Sequence, residues 1–285
     1  MGAGAAVGWN GAMAANPLET MDAWPAPHAA AGVTTGERAL AAHGPVDRRF
    51  PLASVTKLLT AFTVLVAVEE ETVGLDDPAG PEGSTLRHLL AHASGLGPDG
   101  ERAAAVGRRR IYSNAGFEIL ADVVAAAAGM PFAVYAGEAM LAPLGLAATR
   151  LDGSPASGAS ATVEDLLRFA RELLRPTLIS PATLARATTP VFPDLAGVLP
   201  GFGRQDPNPW GLGFEVRGTK SPHWTGSRNS PATFGHFGRS GTFLWVDPEA
   251  DLACVALTDL DFGPWAAEAW PALSDAVLDT LRVRP

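Results

Sequence analysis

Between Ser54 and Thr72 the chain reads SVTKLLTAFTVLVAVEEET, apolar at nearly every position until the acidic cluster Glu69, Glu70 and Glu71. A helix with one apolar stripe lies on a surface, whereas a helix apolar all round has to be enclosed by the rest of the protein. The segment therefore reads as a central core helix, stopped near Gly74 and followed by a loop that opens with Asp76, Asp77 and Pro78. No stretch of about 18 uncharged apolar residues exists to span a bilayer, so burial inside the protein is the expected fate of this one.

The two ends of the chain supply what could enclose it. HAAAGVTTGERALAAHG has two short apolar segments around Gly36, Glu37 and Arg38, the pattern of a β-hairpin, and TFLWVDPEADLACVALTD has two apolar runs joined by Asp247, Pro248, Glu249, Ala250 and Asp251, a second hairpin. WPALSDAVLDTLR closes the chain as an amphipathic helix. Between the ends, residues 84–175 alternate helical patterns such as NAGFEILADVVAAAAG and TVEDLLRFARELL with Gly and Pro punctuation, and residues 191–230 are irregular and rich in Pro, Gly and Asn. No internal repeat stands out. The expected fold is α+β: one antiparallel sheet built from both chain termini and flanked by helices, with a mostly helical insert. The expected division puts residues 22–75 and 190–285 in a discontinuous sheet domain and residues 76–189 in a helical domain, with a catalytic groove between them.

Charge narrows the partners. At 285 residues and 47% hydrophobic composition the chain can fill a large core, and its formal net charge of −9 with scattered basic residues offers no stripe for a phosphate backbone, which excludes nucleic acid as the expected partner. The one basic run, Arg108, Arg109 and Arg110, reads as a solvated surface patch. Cys254 is the single cysteine and reads as a small buried hydrophobe. The opening MGAGAAVGWNGAMAANPLETMDAW lacks the basic region and apolar core of a secretory signal, so a cytoplasmic location is expected.

The core segment also carries chemistry at its head. Ser54 and Lys57 stand three apart, one helical turn on one face, so an amine can reach a hydroxyl there. With 13 serines and only two lysines in the chain, chance predicts roughly 0.1 such pairs. The apolar neighbours Leu52, Leu58, Leu59 and Phe62 would strip water from Lys57 and lower its pKa, and a neutral amine can accept the serine proton as the hydroxyl attacks a carbonyl. The bland alternative makes Ser54 an N-cap and Lys57 a first-turn surface residue.

Two further stretches fit the same chemistry. Tyr112 and Asn114 lie two apart in IYSNAGFEIL, where a phenol can pass a proton to a leaving group and an amide can hold a substrate carbonyl and the lysine together; packing for the tyrosine and a cap for the asparagine is the alternative. His236 and Gly238 lie at the entry to a strand in FGHFGRSGTFLWV, where glycine marks close backbone approach, and the N–H of Arg239 could join that of Ser54 as an oxyanion donor.

These stretches, in this order, resemble the serine β-lactamase and penicillin-binding protein superfamily, in its branch of class C β-lactamases, D,D-peptidases and family VIII esterases. The resemblance spans about residues 29 to 282 and includes FPLASVTKLLTAF for the SxxK box, LDDP, LRHLLAHASGL, YSNAGFEILADVV for the YxN box, PLGL, WGLGFEV and GHFGRSGTFLWVDPEADLACVALT. It implies a β-lactamase-like fold in which Ser54 is the acylated nucleophile, Lys57 its base partner, Tyr112 the catalytic tyrosine and Asn114 a substrate-orienting amide, with His236, Gly238 and Arg239 on the substrate-binding strand. It also implies a small ester, amide or lactam as substrate and neither a metal nor an organic cofactor. His236 and Gly238 fall where many members have Lys-Thr-Gly, and Phe237 replaces the hydroxyl residue that helps true β-lactamases hold a carboxylate. An ester or a D-amino-acid amide is therefore as well matched as a β-lactam. A catalytically silent penicillin-binding-like sensor or an acyltransferase on the same scaffold are the alternatives.

Other chemistries fit less well. His88 and His92 are four apart, yet no glutamate follows His88 and no third ligand is evident, so they read as structural histidines at a helix end and not as a zinc site. GAGAAVG has no preceding strand and a misplaced third glycine for a dinucleotide loop, and no serine sits in a GxSxG elbow.

Overall fold

The computed structural model describes residues 16–282; the glycine-rich opening, read above as neither a signal nor a dinucleotide loop, lies outside the described residues. Strands β1 (Ala29–Thr34) and β2 (Ala39–His43) form the hairpin expected around Gly36. The two-residue strand β3 (Phe50–Pro51) leads through one 3-10 turn, Ala53–Val55, into helix α1 (Thr56–Glu69). Helices α2 (Leu86–Leu90), α3 (Ala115–Ala128) and α4 (Phe132–Ala136) follow, and β4 (Ser160–Ala161) returns to pair with β3. After α5 (Val163–Leu174) and α6 (Pro181–Thr188), strands β5 (Gly197–Leu199) and β6 (Gly203–Gln205) make a separate small hairpin. The chain ends with β7 (Glu215–Val216), β8 (Phe234–Gly238), β9 (Thr242–Asp247), β10 (Leu252–Thr258) and helix α7 (Pro264–Leu281).

Six strands form one antiparallel sheet in the order β2-β1-β10-β9-β8-β7, which joins the amino-terminal hairpin to the carboxy-terminal strands. Every residue of β8, β9 and β10 is buried, because both faces of the sheet are covered. Side chains alternate accordingly: Phe243, Trp245 and Cys254 pack with Trp270, Leu273 and Val277 of α7, while Leu244, Val246 and Val255 belong to the larger core on the opposite face. Helix α5 lies across β10 and β1 on that second face, although its residues fall within the 76–189 stretch expected to form the helical lobe. Its approach is close because Gly32 has no side chain; a Cβ there would sit 2.6 Å from Leu167 Cδ1. The cysteine thiol is buried in β10, as composition suggests.

Helix α1 is enclosed as expected, with every residue from Thr56 to Ala67 buried. Its limits are tighter than the sequence reading: it starts at Thr56 and not Ser54, because Ser54 belongs to the short 3-10 turn that opens with the left-handed Ala53 (φ 44°), and it ends at Glu69, with Glu71 at φ 57° turning the chain before Gly74 is reached. Among the described residues no single helix is long and apolar enough to cross a membrane.

The basic triplet departs from expectation. Arg108 and Arg109 are exposed, but Arg110 is buried, and its guanidinium donates to the carbonyl oxygens of Ala91, Asn208 (3.0 Å), Val191 (2.9 Å) and Phe192 (3.0 Å). Burial pushes its pKa down to about 10. Five donors in a rigid fork satisfy carbonyls that the irregular 191–208 stretch would otherwise leave unpaired, so this one side chain fastens that stretch to the end of α2. Replacing Arg110 with leucine should lower unfolding free energy by about 3 kcal/mol in urea titrations, through orphaned buried carbonyls, while alanine at 108 or 109 should change it by less than about 0.5 kcal/mol.

Candidate active site

The turn that carries Ser54 is strained and held on three sides. Ala53 occupies the left-handed region without being glycine, a conformation that costs about 1–3 kcal/mol and persists only where neighbours impose it. Here Leu52 N–H donates to Ala159 O (2.9 Å), Thr242 Oγ1 donates to Leu52 O (2.9 Å), and Ser240 Oγ donates to Pro51 O (2.8 Å). Gly238 completes the grip. A Cβ at that position would lie 2.3 Å from Leu52 O and 3.2 Å from Ala53 Cβ, so the glycine is required for β8 to approach the turn that carries Ser54. That approach brings Ser54 and the strand end bearing Arg239 to one pocket.

Ser54, Lys57, Tyr112 and Asn114 meet in one hydrogen-bonded cluster. Tyr112 O–H donates to Ser54 Oγ at 2.7 Å, and Lys57 Nζ lies 3.3 Å from Ser54 Oγ, 2.7 Å from Asn114 Oδ1 and 2.8 Å from Ala156 O. Lys57 is fully buried, with its Nζ 4.7 Å from the Tyr112 ring centre and 5.5 Å from that of Phe117. Burial lowers its pKa from 10.5 to about 7, against a smaller upward pull from Glu118. In its neutral form the amine's two N–H bonds serve the two short contacts, to Asn114 and Ala156, and its lone pair is left for the Ser54 hydroxyl. Burial raises the Tyr112 pKa well above its usual value, which keeps the phenol protonated.

Aromatic and imidazole rings line the upper side of this cluster. His92 accepts from Ser113 N–H at its Nδ1 (3.2 Å), its carbonyl accepts from Ile111 N–H (2.9 Å), and its ring lies 4.8 Å from that of Tyr112. It thereby splints both sides of Tyr112. His88 instead contacts Thr85 Oγ1 and stacks on Phe192, so the two histidines do not converge on a common point. His236 sits 5.8 Å from Tyr112 and 5.4 Å from Trp210, ring to ring, with Nδ1 bonded to Phe237 O (2.6 Å). Burial, with Lys57 nearby, lowers its pKa to about 3, so the imidazole is neutral.

A pocket of about 270 Å³ opens beside Ser54 and Tyr112, walled by Leu199, Pro200 and Gly201 of the β5–β6 hairpin, by Trp210, Phe237 and Phe262, and by His236, Glu215 and Arg239. The Arg239 side chain is 88% exposed at the rim, 3.6 Å from Asp261. Beneath the wall, Glu215 accepts from Lys220 Nζ, from His223 Nε2 (3.1 Å) and from Trp224 Nε1 (2.8 Å). Burial alone would raise the Glu215 pKa, but the adjacent Lys220 and His223 hold it far below the usual carboxylate range. Sequence reading assigned no role to Trp210, Glu215, Lys220 or His223. The available signal was Lys220, the second of two lysines, in a stretch otherwise written off as irregular. Among the described residues no group of three or more His, Cys, Asp or Glu side chains is placed to hold a metal ion.

The family model described as Beta-lactamase matches residues 19–278. A beta-lactamase from Mycobacterium bovis, of known crystal structure, is 56% identical with a TM-score of 0.93, covering 94% of this chain and 100% of that one. The D-alanyl-D-alanine-carboxypeptidase/endopeptidase AmpH of Escherichia coli K12 is 30% identical over 148 residues, 39% of this chain and 38% of that protein, so the match spans well under half of the relative. Penicillin-binding protein 4* of Bacillus subtilis is 29% identical over 137 residues, 36% of this chain and 30% of that protein.

The neutral amine gives a pH expectation. Below about pH 7 Lys57 carries a proton and has no lone pair for Ser54, so the rate of Ser54 acylation should rise with pH through a midpoint near 7 and level off above it. Stopped-flow acylation across pH 5–9 checks this; a midpoint above about 9 contradicts it.

Proposed function

The chain belongs to the beta-lactamase family, and from that membership we propose that it is a serine hydrolase forming a covalent acyl-enzyme on a small ester, amide or lactam. The observation that carries this reading is the double contact on Ser54 Oγ, from the Tyr112 hydroxyl at 2.7 Å and the Lys57 amine at 3.3 Å. Ser54 Oγ attacks the substrate carbonyl as its proton passes to Lys57 Nζ, and the carbonyl electron pair moves to oxygen. The backbone N–H groups of Ser54 and Arg239 are the proposed donors to this oxyanion. Collapse breaks the bond to the leaving group, which takes a proton from the Tyr112 hydroxyl, and the Lys57 ammonium restores the phenol. Water then repeats the sequence in reverse: it attacks the acyl carbon, gives up a proton to the same relay, and Ser54 leaves as the hydroxyl. A neutral phenol is the right state for the donor role, and Asn114 keeps the amine aimed at Ser54.

Intact-mass analysis after a fluorophosphonate probe tests the nucleophile. A stoichiometric adduct on Ser54, absent from the Ser54→Ala variant, is expected; a silent sensor would take up none. Tyr112→Phe should reduce kcat by roughly 10²-fold or more with little change in melting temperature, measured on a nitrophenyl ester. Product analysis with an added alcohol separates hydrolysis from acyl transfer, since only the second attacking group differs.

A further inference from the structure

Among the described residues the wall of the Ser54 pocket holds no buried cation that is free to meet an anion. Lys57 lies inside the catalytic cluster, its Nζ on Asn114 and Ala156. Lys220 is buried with its ammonium on Glu215, Pro209 O (3.0 Å) and Asn208 Oδ1 (3.2 Å). Arg239 stands at the rim in solvent beside Asp261, where a charge pair counts for little. His236 donates Nδ1–H to a backbone carbonyl and bears no charge. What remains is Leu199, Pro200, Trp210, Phe237 and Phe262. Phe237 is fixed in that wall by ring contacts of 5.7 Å to Phe202, 5.2 Å to Phe262 and 5.8 Å to both Trp224 and Trp270, so it cannot swing aside to admit a polar partner.

Resting on the hydrolase reading, we propose that this pocket selects uncharged, apolar acyl groups and excludes acyl groups bearing a carboxylate, and that Glu215 sets the selection by neutralising Lys220 beneath the pocket wall. A carboxylate entering the pocket loses hydration that no buried cation in the wall replaces. An apolar chain loses only water that the aromatic wall holds poorly. Glu215 itself lines the pocket, so an anionic acyl group that reaches this wall meets a charge of its own sign, whose counter-ion Lys220 is bonded to it.

The test uses two substrates of matched length: nitrophenyl hexanoate and the nitrophenyl monoester of adipic acid, which exchanges the terminal methyl for a carboxylate. On the full-length protein kcat/KM should favour the hexanoate by about 100-fold or more. A ratio near one, or one favouring the acid, overturns the proposal. Glu215→Gln leaves Lys220 with an unbalanced charge, and should shrink the ratio at least about tenfold through a gain on the acid substrate. An unchanged ratio in a folded Glu215→Gln protein overturns the role of Glu215. Should that variant fail to fold, the paired replacement Glu215→Gln with Lys220→Met, which removes both charges, is expected to keep the wild-type ratio, and its collapse would count against the proposal. Arg239→Ala should leave the ratio within about threefold; a larger shift moves the selectivity to the rim and overturns the account. Formation of the Ser54 adduct without discrimination between the two esters defeats this inference alone, whereas absence of both adduct and turnover defeats the hydrolase reading with it.

Discussion

A primary amine kept out of water is the constraint around which this structure is arranged. Ammonium is strongly hydrated, and burying it without a carboxylate shifts the group toward its neutral form. Lys57 has no carboxylate in hydrogen-bond contact; its partners are an amide oxygen, a backbone carbonyl and a serine hydroxyl. Each of those partners comes from a different part of the chain. Ala156 O is carried by the loop before β4, Asn114 stands at the head of α3, and Ser54 lies on the strained turn before α1. The fully apolar helix that makes the first impression in the sequence is thus also the device that dries the amine.

The same dryness sets the protonation state of the surrounding groups. Tyr112, His92 and His236 are all displaced by burial toward their uncharged forms, and their rings shield one another at 4.8–5.8 Å. The charged pair nearest the pocket, Glu215 with Lys220, is self-contained. Such a site sets a serine hydroxyl, a buried amine and a protonated phenol side by side while showing an incoming molecule mainly hydrocarbon and aromatic surface. Rigidity follows from the backbone as well as from packing. The left-handed Ala53, the missing Cβ at Gly238 and the two bonds of His92 to the segment around Tyr112 hold the Ser54, Lys57 and Tyr112 groups in place.

Much of this was legible in the sequence because rare residues carried it. One of two lysines three after a serine, and one of two tyrosines two before an asparagine, stand out against composition alone, and the two terminal hairpins announce themselves by alternating apolar runs around turn residues. What escaped depends on contacts between distant segments. Arg110 looks like its neighbours Arg108 and Arg109 in one dimension; only the 191–208 stretch folding back over it turns it into a buried fork. Gly238 reads as a point of close backbone approach, and only the fold shows that the backbone approached is that of Leu52 and Ala53. Helix α5 has a polar face that suits a peripheral helix, and nothing local says that its other face covers β1 and β10. The Glu215 network was hidden for a different reason, since an irregular stretch has no periodicity from which inward-facing residues can be picked.

The most direct measurement is of the Lys57 amine itself. With only two lysines in the chain, NMR titration of ¹³C-labelled lysine side chains, with Lys220→Met for assignment, reads each amine separately. The structure predicts that the Lys57 signal titrates near pH 7 in the free protein. A Lys57 midpoint close to the ordinary value of 10.5 would show a solvated ammonium at Ser54, and would contradict the account from its first step.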